Sequence, residues 1–328
     1  MKNYFKFITA YTCNLLFILG FLLLTSCSKT EYLSPQDAPC NNLNAITIDN
    51  AGTVPVFHGM PSSSVIYVHN NSNTVISGIT YSATDSNNGK SQTLNPQSMA
   101  LCASIQPGQS CPLAFTTSVP NSDDFRGSIT ITAKYTKENK AKEFSQLINY
   151  AQIADESTNG VVASSGVNII GHPKQPTYGI IYLYGSGKNQ IYNVESLFTN
   201  KGSFKISQGN ISGTQLASNA IQAVEIKAPA NNCKSGITFA LTINSTSNHK
   251  TYSMTQSNSF TIPPINNGAI IIAGNAPVLN LANTTTGTVQ FYNAGNASAT
   301  SVSVTAGSGL TITVNNCTSP IVSYASCT

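Results

Sequence analysis

Gly185-Ser186-Gly187-Lys188 are residue types that hold phosphate in nucleotide-binding loops. A complete phosphate loop also has an earlier glycine, and a Ser or Thr directly after the lysine, where this chain has Asn189. An internal repeat places the stretch between two strands, not at the start of a helix. We therefore expect a tight hairpin turn here and no nucleotide site.

The four histidines are widely separated in the sequence: His58, His69, His172 and His249. His69 occupies a strand position that tyrosine holds in the related segments, so we expect it to pack or to face solvent. The chain has neither the HExxH motif of zinc proteases nor the GxSxG motif of serine hydrolases. We predict no catalytic residue, no metal ligand and no cofactor, and therefore no enzyme.

The acidic residues also lack a constellation suited to catalysis. The adjacent pairs are Asp123-Asp124 and Asp155-Glu156, and neighbours on a strand point to opposite faces. Asp85-Ser86-Asn87-Asn88-Gly89 resembles the start of a calcium loop but lacks the later carboxylates, which favours a polar hairpin turn. The 14 tyrosines could stack on sugars, although several lie in strand patterns where packing within the sheet is the usual role.

The cysteines can form disulfides if the protein is exported. Apart from Cys13 and Cys27, six remain, without a CxxC pair or interleaved histidines, which argues against zinc. Their place in the internal repeat predicts two bridges, Cys102–Cys111 and Cys317–Cys327, each worth about 2–3 kcal/mol in the loop-entropy model. Cys40 and Cys233 are left over, and they either pair with each other or stay free.

The N-terminus is typical of an exported chain. Leu15 to Leu24 form an apolar run interrupted only by Gly20, and Lys2 and Lys6 precede it. Ten residues are about half of what spans a bilayer, so the run is predicted to be the core of a signal peptide and not a transmembrane helix.

The residues that follow this core carry a specific resemblance. Leu24-Thr25-Ser26-Cys27 resembles the lipobox of bacterial lipoproteins at all four positions. The resemblance implies that Cys27 becomes the lipidated first residue of the mature chain and that 1–26 are removed. The alternative is an ordinary secretory signal with an incidental cysteine. Ser28 follows Cys27, and the absence of Asp there implies an outer-membrane lipoprotein.

Composition agrees with an extracellular, β-rich protein. Charged residues make up 9% of the chain, and the formal charge of +4 comes from scattered lysines. Nucleic-acid binders group their basic residues and add stacking aromatics, so a nucleic-acid partner is not expected. Ser, Thr, Asn and Gln must build the polar surface, and these residues suit strands and turns.

The chain repeats itself about every 110 residues. Ile66-Tyr67-Val68-His69, Ile181-Tyr182-Leu183-Tyr184 and Val289-Gln290-Phe291-Tyr292 each precede a turn and a second alternating run. The second runs contain Ile79 and Val194 in the first two copies, and Val302-Ser303-Val304 in the third. The alternation predicts strand, turn and strand, with one face buried.

This organisation predicts an all-β fold of tandem immunoglobulin-like β-sandwich domains. The repeat resembles the Hydin-like (ASH-type) and related bacterial cell-surface immunoglobulin-like families, which implies adhesion, scaffolding or spacing. The predicted segments are a signal peptide (1–26), a lipidated tether (27–44), sandwiches at 45–153 and 166–262, and a partial third at 269–328. Ala154–Ser165 is predicted to be a linker.

The third sandwich is expected to be incomplete. In the first copy about 39 residues follow the second cysteine, whereas only Thr328 follows Cys327. Missing strands would leave unpaired backbone edges. Three explanations stay open: the chain is a fragment, the third unit is complete with fewer strands, or a strand from a partner completes it.

The sequence thus predicts a lipid-anchored, outer-membrane protein that serves as a non-catalytic adhesion, binding or scaffolding module. Its ligand would be a protein or a glycan. A glycan-binding surface module is the second hypothesis, and an enzyme with an unrecognised site is the third. Membrane contact would be through the lipid on Cys27.

Overall fold

A computed structural model shows that the chain is almost entirely β-structure, which confirms the predicted all-β sandwich class. The structure describes residues 45–85, 92–117, 126–153, 159–171, 176–229, 237–261, 269, 271–273, 289–293, 297–307, 309–313, 315–317, 320–321 and 326–328. These described residues all belong to one compact unit.

The strands in chain order are β1 (Ile46–Ile48), β2 (Asn50–Ala51), β3 (Val54–Val56), β4 (Ser62–Asn70), β5 (Ile76–Ser77), β6 (Thr80–Asp85), β7 (Gln92–Leu94), β8 (Ser104–Ile105), β9 (Ser110–Thr117), β10 (Arg126–Lys137), β11 (Lys140–Gln152), β12 (Gly160–Ala163), β13 (Asn168–Ile170), β14 (Thr177–Ser186), β15 (Ile191–Thr199), β16 (Lys205–Gln208), β17 (Gln215–Ala217), β18 (Ile221–Ala228), β19 (Ile237–Ser247), β20 (Lys250–Thr261), β21 (Ile271–Ala273), β22 (Phe291–Asn293) and β23 (Ser326–Cys327). One helix, α1 (Pro96–Leu101), lies among the described residues. The Asn95 side chain caps α1 by accepting hydrogen bonds from the amides of Gln97 and Ser98.

Two sheets form the first sandwich. One has the strand order β1-β4-β9-β7 and the other β3-β11-β10-β6. Alternation explains the burial, because Ile129, Ile131 and Ala133 of β10 are fully buried while Thr130 and Thr132 are only partly so. The longest pairing, between β10 and β11, runs from Arg126↔Ala151 to Lys137↔Lys140.

The second sandwich repeats this arrangement. Its sheets have the orders β12-β14-β18-β16 and β13-β20-β19-β15-β17. In both sandwiches a short strand (β3 or β13) pairs in parallel with the last long strand (β11 or β20). In each sandwich the strands are divided between two sheets as they are in the immunoglobulin fold.

The predicted strand–turn–strand repeat is wrong in two respects. Strands β14 and β15 flank the turn at Gly187, but they belong to opposite sheets, and so do β4 and β6. The turn therefore carries the chain across the sandwich, and the predicted hairpin pairing is wrong. In the third copy, Val302-Ser303-Val304 forms no strand.

The two sandwiches share backbone pairing and a core. Strand β2 of the first pairs in parallel with β14 of the second, at Gly179↔Asn50 and Ile180↔Ala51. Ile180 and Tyr182 of β14 are buried in the hydrophobic cluster of the first sandwich. The second sandwich has its own cluster around Leu183, Val224 and Phe239.

The third region, from residue 269 onward, is smaller. Its described residues contain one sheet, β21-β22-β23, and a small cluster around Cys317 and Ile321. The predicted linker at 154–165 includes β12, which pairs with β14 of the second sandwich. The limits of the five predicted segments, from the signal peptide to the partial third sandwich, otherwise stay predictions.

Candidate functional site

Asp49, His69 and Glu225 form a cluster of ionisable side chains at the junction of the two sandwiches. Asp49 lies between β1 and β2, and His69 lies near the end of β4. The apolar neighbours Ile66 and Val68 point into the first core, so alternation turns His69 to the opposite face of that sheet. Glu225 projects from β18 of the second sandwich by the same logic, between buried Val224 and Ile226.

The three side chains meet at the histidine ring. His69 Nε2 is 2.7 Å from Asp49 Oδ1 and 3.1 Å from Glu225 Oε1. The second oxygen of each carboxylate is held separately. The amide of Tyr67 donates to Asp49 Oδ2 at 3.2 Å, and the Ser207 hydroxyl donates to Glu225 Oε2. Both carboxylates are thereby fixed with one oxygen directed at the imidazole.

Burial of these groups is almost complete. The side chains of His69, Asp49 and Glu225 are 5%, 0% and 1% exposed. Tyr178 of β14 stacks on the imidazole, with 3.9 Å between ring centroids and 6° between planes. The Lys227 ammonium lies over the Tyr178 ring, 5.7 Å from its centroid.

The charges in the cluster depend on each other. Burial alone would lower the pKa of His69. The negative charge of Asp49 and its hydrogen bond to the imidazole outweigh burial, and Glu225 adds to this stabilisation of the protonated ring. Together they raise the pKa of His69 to about 9. Burial raises the pKa of Asp49 to about 6, although His69 opposes this shift. The nearby carboxylates also help burial to raise the pKa of Tyr67, Tyr178 and Tyr182.

This arrangement can hold a cation but is poorly suited to catalysis. One ligand atom from each of the three residues lies within 4.8 Å of the others, so the same atoms that hold a proton could hold a metal ion. A general acid or base must reach its substrate within hydrogen-bonding distance. Side chains that are at most 5% exposed do not offer that access.

Both predicted disulfides are present. Cys102, directly after α1, is bonded to Cys111 of β9, with 5.5 Å between their Cα atoms. Cys317 is bonded to Cys327 of β23, with a corresponding separation of 4.9 Å. The candidate lipidation residue Cys27 and the lipobox residues Leu24, Thr25 and Ser26 lie outside the described residues. Cys40 and Cys233 also lie outside them.

The other sequence candidates do not form sites in the described part of the chain. Gly187 and Asn189 adopt positive φ angles of 82° and 53°, which suits a turn between strands. His58 and His249 are exposed. Asp85 accepts a hydrogen bond from the hydroxyl of Tyr150 at 2.7 Å.

His172, the pairs Asp123-Asp124 and Asp155-Glu156, and the residues after Asp85 up to Gly89 fall outside the described residues. The tyrosines singled out from the sequence take packing positions, either buried or partly buried: Tyr67, Tyr81, Tyr182, Tyr184 and Tyr192.

Sequence reasoning identified His69 as a strand residue but missed its partners. Asp49 is 20 residues away and Glu225 is on another sandwich, so no local spacing connects them. One signal was available. Ile180-Ile181-Tyr182-Leu183 is a continuous apolar run within β14, and such runs are typical of strands buried on both faces. It indicates that the sheet containing Glu225 is covered on its outer face as well.

Comparison with known proteins gives no family. No family model and no curated protein matches the chain. Among solved structures, the VesB protease of Vibrio cholerae is 13% identical with a TM-score of 0.26, over 33% of this chain and 32% of its own. The YadV chaperone is 8% identical with a TM-score of 0.25, over 65% of this chain and 100% of its own.

The sialic acid binding region of a Streptococcus sanguinis SK1 adhesin is 9% identical with a TM-score of 0.24, over 68% of this chain and 79% of its own. The chain thus spans about a third of VesB but all of YadV. Likeness at this level supports no inference about activity or ligand. Within the described residues, no helix has the length and apolarity needed to cross a bilayer.

Proposed function

We propose that the protein is a non-catalytic binding or scaffolding module of the cell envelope, anchored by lipid at Cys27, in which two sandwiches act as one rigid body. The observation that carries this proposal is the junction of the sandwiches. It joins them by backbone pairing, a shared core and a buried ionic cluster. A binding module benefits from such rigidity because less conformational freedom is lost when a partner binds.

Several further bonds cross the same junction. The amide of Gly52 donates to the Ile180 carbonyl at 2.9 Å, and the Thr53 amide donates to Ser165 Oγ at 2.7 Å. The Tyr182 hydroxyl donates to the Val65 carbonyl at 3.1 Å. Interfaces with few contacts allow domains to move relative to each other, whereas this interface is extensive and partly apolar. A fixed relative orientation of the sandwiches is therefore the expected state.

Export and anchoring rest on independent features. The lipobox residues Leu24 to Cys27 supply the anchor, and the two disulfides suit an oxidising compartment. A lipoprotein carries more than one acyl chain at its N-terminus, and two or more chains hold a protein on a membrane where one does not. We assign the protein to the outer membrane because Ser28, and not Asp, follows Cys27.

The test of the anchor compares two cysteines of the leader. Cells expressing the wild type, Cys27→Ser or the matched control Cys13→Ser are fed radiolabelled palmitate. Label should enter the wild type and Cys13→Ser but not Cys27→Ser, which should also accumulate as uncleaved precursor. Label in Cys27→Ser would overturn the anchoring proposal.

Orientation at the envelope is tested on intact cells. Protease added outside should degrade a surface-exposed binding module and leave a periplasmic one intact until the outer membrane is opened. A periplasmic marker protein that stays intact before opening is the control. Degradation on intact cells would support adhesion at the surface, whereas protection would favour a scaffold inside the envelope.

A glycan-binding surface is the second candidate, favoured by one row of residues. Phe198 of β15 is 47% exposed and lies opposite Thr242 in the sheet. Thr242 in turn lies opposite Thr255, with 3.3 Å between their hydroxyl oxygens. A ring beside hydroxyl groups can stack on a sugar face while the hydroxyls bind its edge. The predicted tyrosines do not supply such a surface.

Binding to a glycan array tests this candidate. Phe198→Ala should reduce any specific glycan signal at least tenfold. The control is Leu101→Ala, which removes another exposed apolar side chain, 77% exposed, from a different part of the fold. Equal signals from the two variants, or no glycan signal from the wild type, would exclude this surface.

A further inference from the structure

We infer that Asp49, His69 and Glu225 form a structural site for a divalent transition metal ion, with zinc the best match, that ties the two sandwiches together. The site takes two ligands from the first sandwich and one from the second. It is independent of the lipid anchor and of any surface ligand.

The geometry of the donors is that of a prepared site. Asp49, His69 and Glu225 lie on three different strands or strand ends, and each offers one ligand atom within 4.8 Å of the other two. The other carboxylate oxygens are occupied by the Tyr67 amide and the Ser207 hydroxyl. Hydrogen bonds of this kind orient carboxylate ligands in metal sites and are characteristic of them.

A proton satisfies this cluster only in part. The proton on His69 Nε2 is directed at Asp49 Oδ1 at 2.7 Å, so Glu225 Oε1, 3.1 Å from the same nitrogen, has a charge contact but no well-aligned hydrogen bond among the described residues. An unpaired oxygen on a buried carboxylate is costly. A metal ion placed between the three atoms would give each of them a bond.

Charge balance favours the metal as well. Two carboxylates and a protonated histidine carry a net charge of −1 in a site that is almost fully buried. Two carboxylates, a neutral histidine and a divalent ion are together neutral. Uncompensated charge in the interior is strongly unfavourable, so the exchange of one proton for a divalent ion removes a large penalty.

The donor set selects the kind of ion. Calcium and magnesium prefer oxygen ligands alone, whereas zinc binds imidazole nitrogen together with carboxylate oxygen. Zinc bonds of about 2.0–2.2 Å place neighbouring ligands about 3.3 Å apart. Glu225 Oε1 already lies 3.1 Å from His69 Nε2, and Asp49 Oδ1 at 2.7 Å must move outward by about half an ångström.

The exposed residue nearest to the cluster in the chain of contacts is Ser207, and we expect a metal ion to enter there. Ser207 lies on β16, an edge strand of its sheet, and its side chain is exposed while donating to Glu225. Rotation of this hydroxyl would open the carboxylate to solvent without separating the sandwiches. Three protein ligands leave the fourth position of a tetrahedral ion to a water molecule. Because the three ligand side chains are at most 5% exposed, a substrate would have no access to the bound ion, and we expect its role to be structural.

Metal content of the purified full chain tests the inference. The protein is stripped with EDTA, dialysed against ZnCl2 and then against metal-free buffer, and its zinc is measured by mass spectrometry. The wild type should retain one zinc ion per chain. Glu225→Gln, which keeps the side-chain size, and Asp49→Asn should each lose at least 90% of it. His249→Gln is the matched control at an exposed histidine and should retain the full amount.

Thermal unfolding gives a second readout. Zinc should raise the Tm of the wild type and of His249→Gln but not of Glu225→Gln, with circular dichroism confirming that each variant is folded. Absence of zinc from the wild type, or equal zinc in Glu225→Gln and the wild type, would overturn the site. Retention of calcium or magnesium, but not of zinc, when CaCl2 or MgCl2 is added to the ZnCl2 dialysis would overturn the choice of ion.

Discussion

Among the described residues, two buried polar junctions are built in opposite ways. The first joins the two sandwiches through Asp49, His69 and Glu225, which are ionisable. The second joins β11 of the first sandwich to the third region through Gln146 and the segment around Gln290, where all the polar groups are neutral amides and hydroxyls. Both bury polar groups between sheets or segments that could otherwise separate.

Hydrogen bonding at the neutral junction is dense. Gln290 Oε1 accepts from the Leu147 amide at 3.1 Å and from the Tyr292 hydroxyl at 2.5 Å. Gln146 Nε2 donates to the Tyr292 oxygen at 3.0 Å and to the Leu147 carbonyl at 3.0 Å. At the charged junction, by contrast, Glu225 Oε1 has no such partner among the described residues.

The polar groups of the two junctions need different partners. Amides satisfy one another without a counter-ion, so the neutral junction should be insensitive to pH and to metals. Carboxylates need a proton or a cation, so the strength of the charged junction depends on what occupies it. Changes at the two junctions should therefore differ both in size and in their dependence on solution conditions.

The largest effect is expected from His69→Ala in chain stripped of metal with EDTA. Two buried carboxylates would then face each other without a cation, and loss of one partner from a buried ionic cluster costs about 3–5 kcal/mol. Urea unfolding followed by far-UV circular dichroism measures the change. His249→Asn, at an exposed turn position whose φ of 62° asparagine tolerates, should change stability by less than about 0.5 kcal/mol. Equal midpoints for the two variants would contradict the ionic role of His69.

The next effect is a dependence on pH in the metal-free chain. The pKa of His69 is raised from 6.5 to about 9, so its contribution to stability is complete below pH 6.5 and is lost as the pH rises through 9. The pKa of Asp49 is raised from 3.8 to about 6, so its contribution is complete below pH 3.8 and is lost as the pH rises through 6. Unfolding free energy should therefore fall with rising pH across both windows.

Urea unfolding at intervals from pH 6.5 to 9.5 measures the histidine window. His69→Gln should flatten the curve, since the glutamine does not titrate. Gln290→Ala should lower the curve by the same amount at every pH, because no titratable group is removed. A wild-type curve that stays level between pH 6.5 and 9 would show that His69 is not protonated at the junction.

The sequence predicted the fold well because sandwich strands carry a local signal. Alternation at Ile66-Tyr67-Val68-His69 and its counterparts placed β4, β14 and β22 correctly, and the cysteine spacing predicted both disulfides. Pairing was predicted less well. Strands adjacent in the chain, such as β14 and β15, lie in opposite sheets, and alternation does not state which sheet a strand joins.

The candidate site could not be predicted for a related reason. Glu225 alternates with buried Val224 and Ile226, as a solvent-facing residue would on a sheet with one exposed face. Its burial results from the packing of a second sandwich, which no pattern within β18 reports. Only the two-sided apolar run of β14 indicates that the sheet is covered.

The smallest effect is expected at the neutral junction, from Gln290→Ala. The change removes the oxygen that the Leu147 amide and the Tyr292 hydroxyl use, and an unmade buried hydrogen bond costs about 1–3 kcal/mol. Because the Leu147 amide donates to Gln290, its hydrogen exchange reports this junction directly, and protection there should fall by about 5- to 150-fold. Gln215→Ala, which removes an exposed glutamine on β17, should leave the exchange unchanged. Added zinc should not restore protection in Gln290→Ala, since the amide junction binds no cation, whereas restoration by zinc would mean that the two junctions are coupled through the first sandwich.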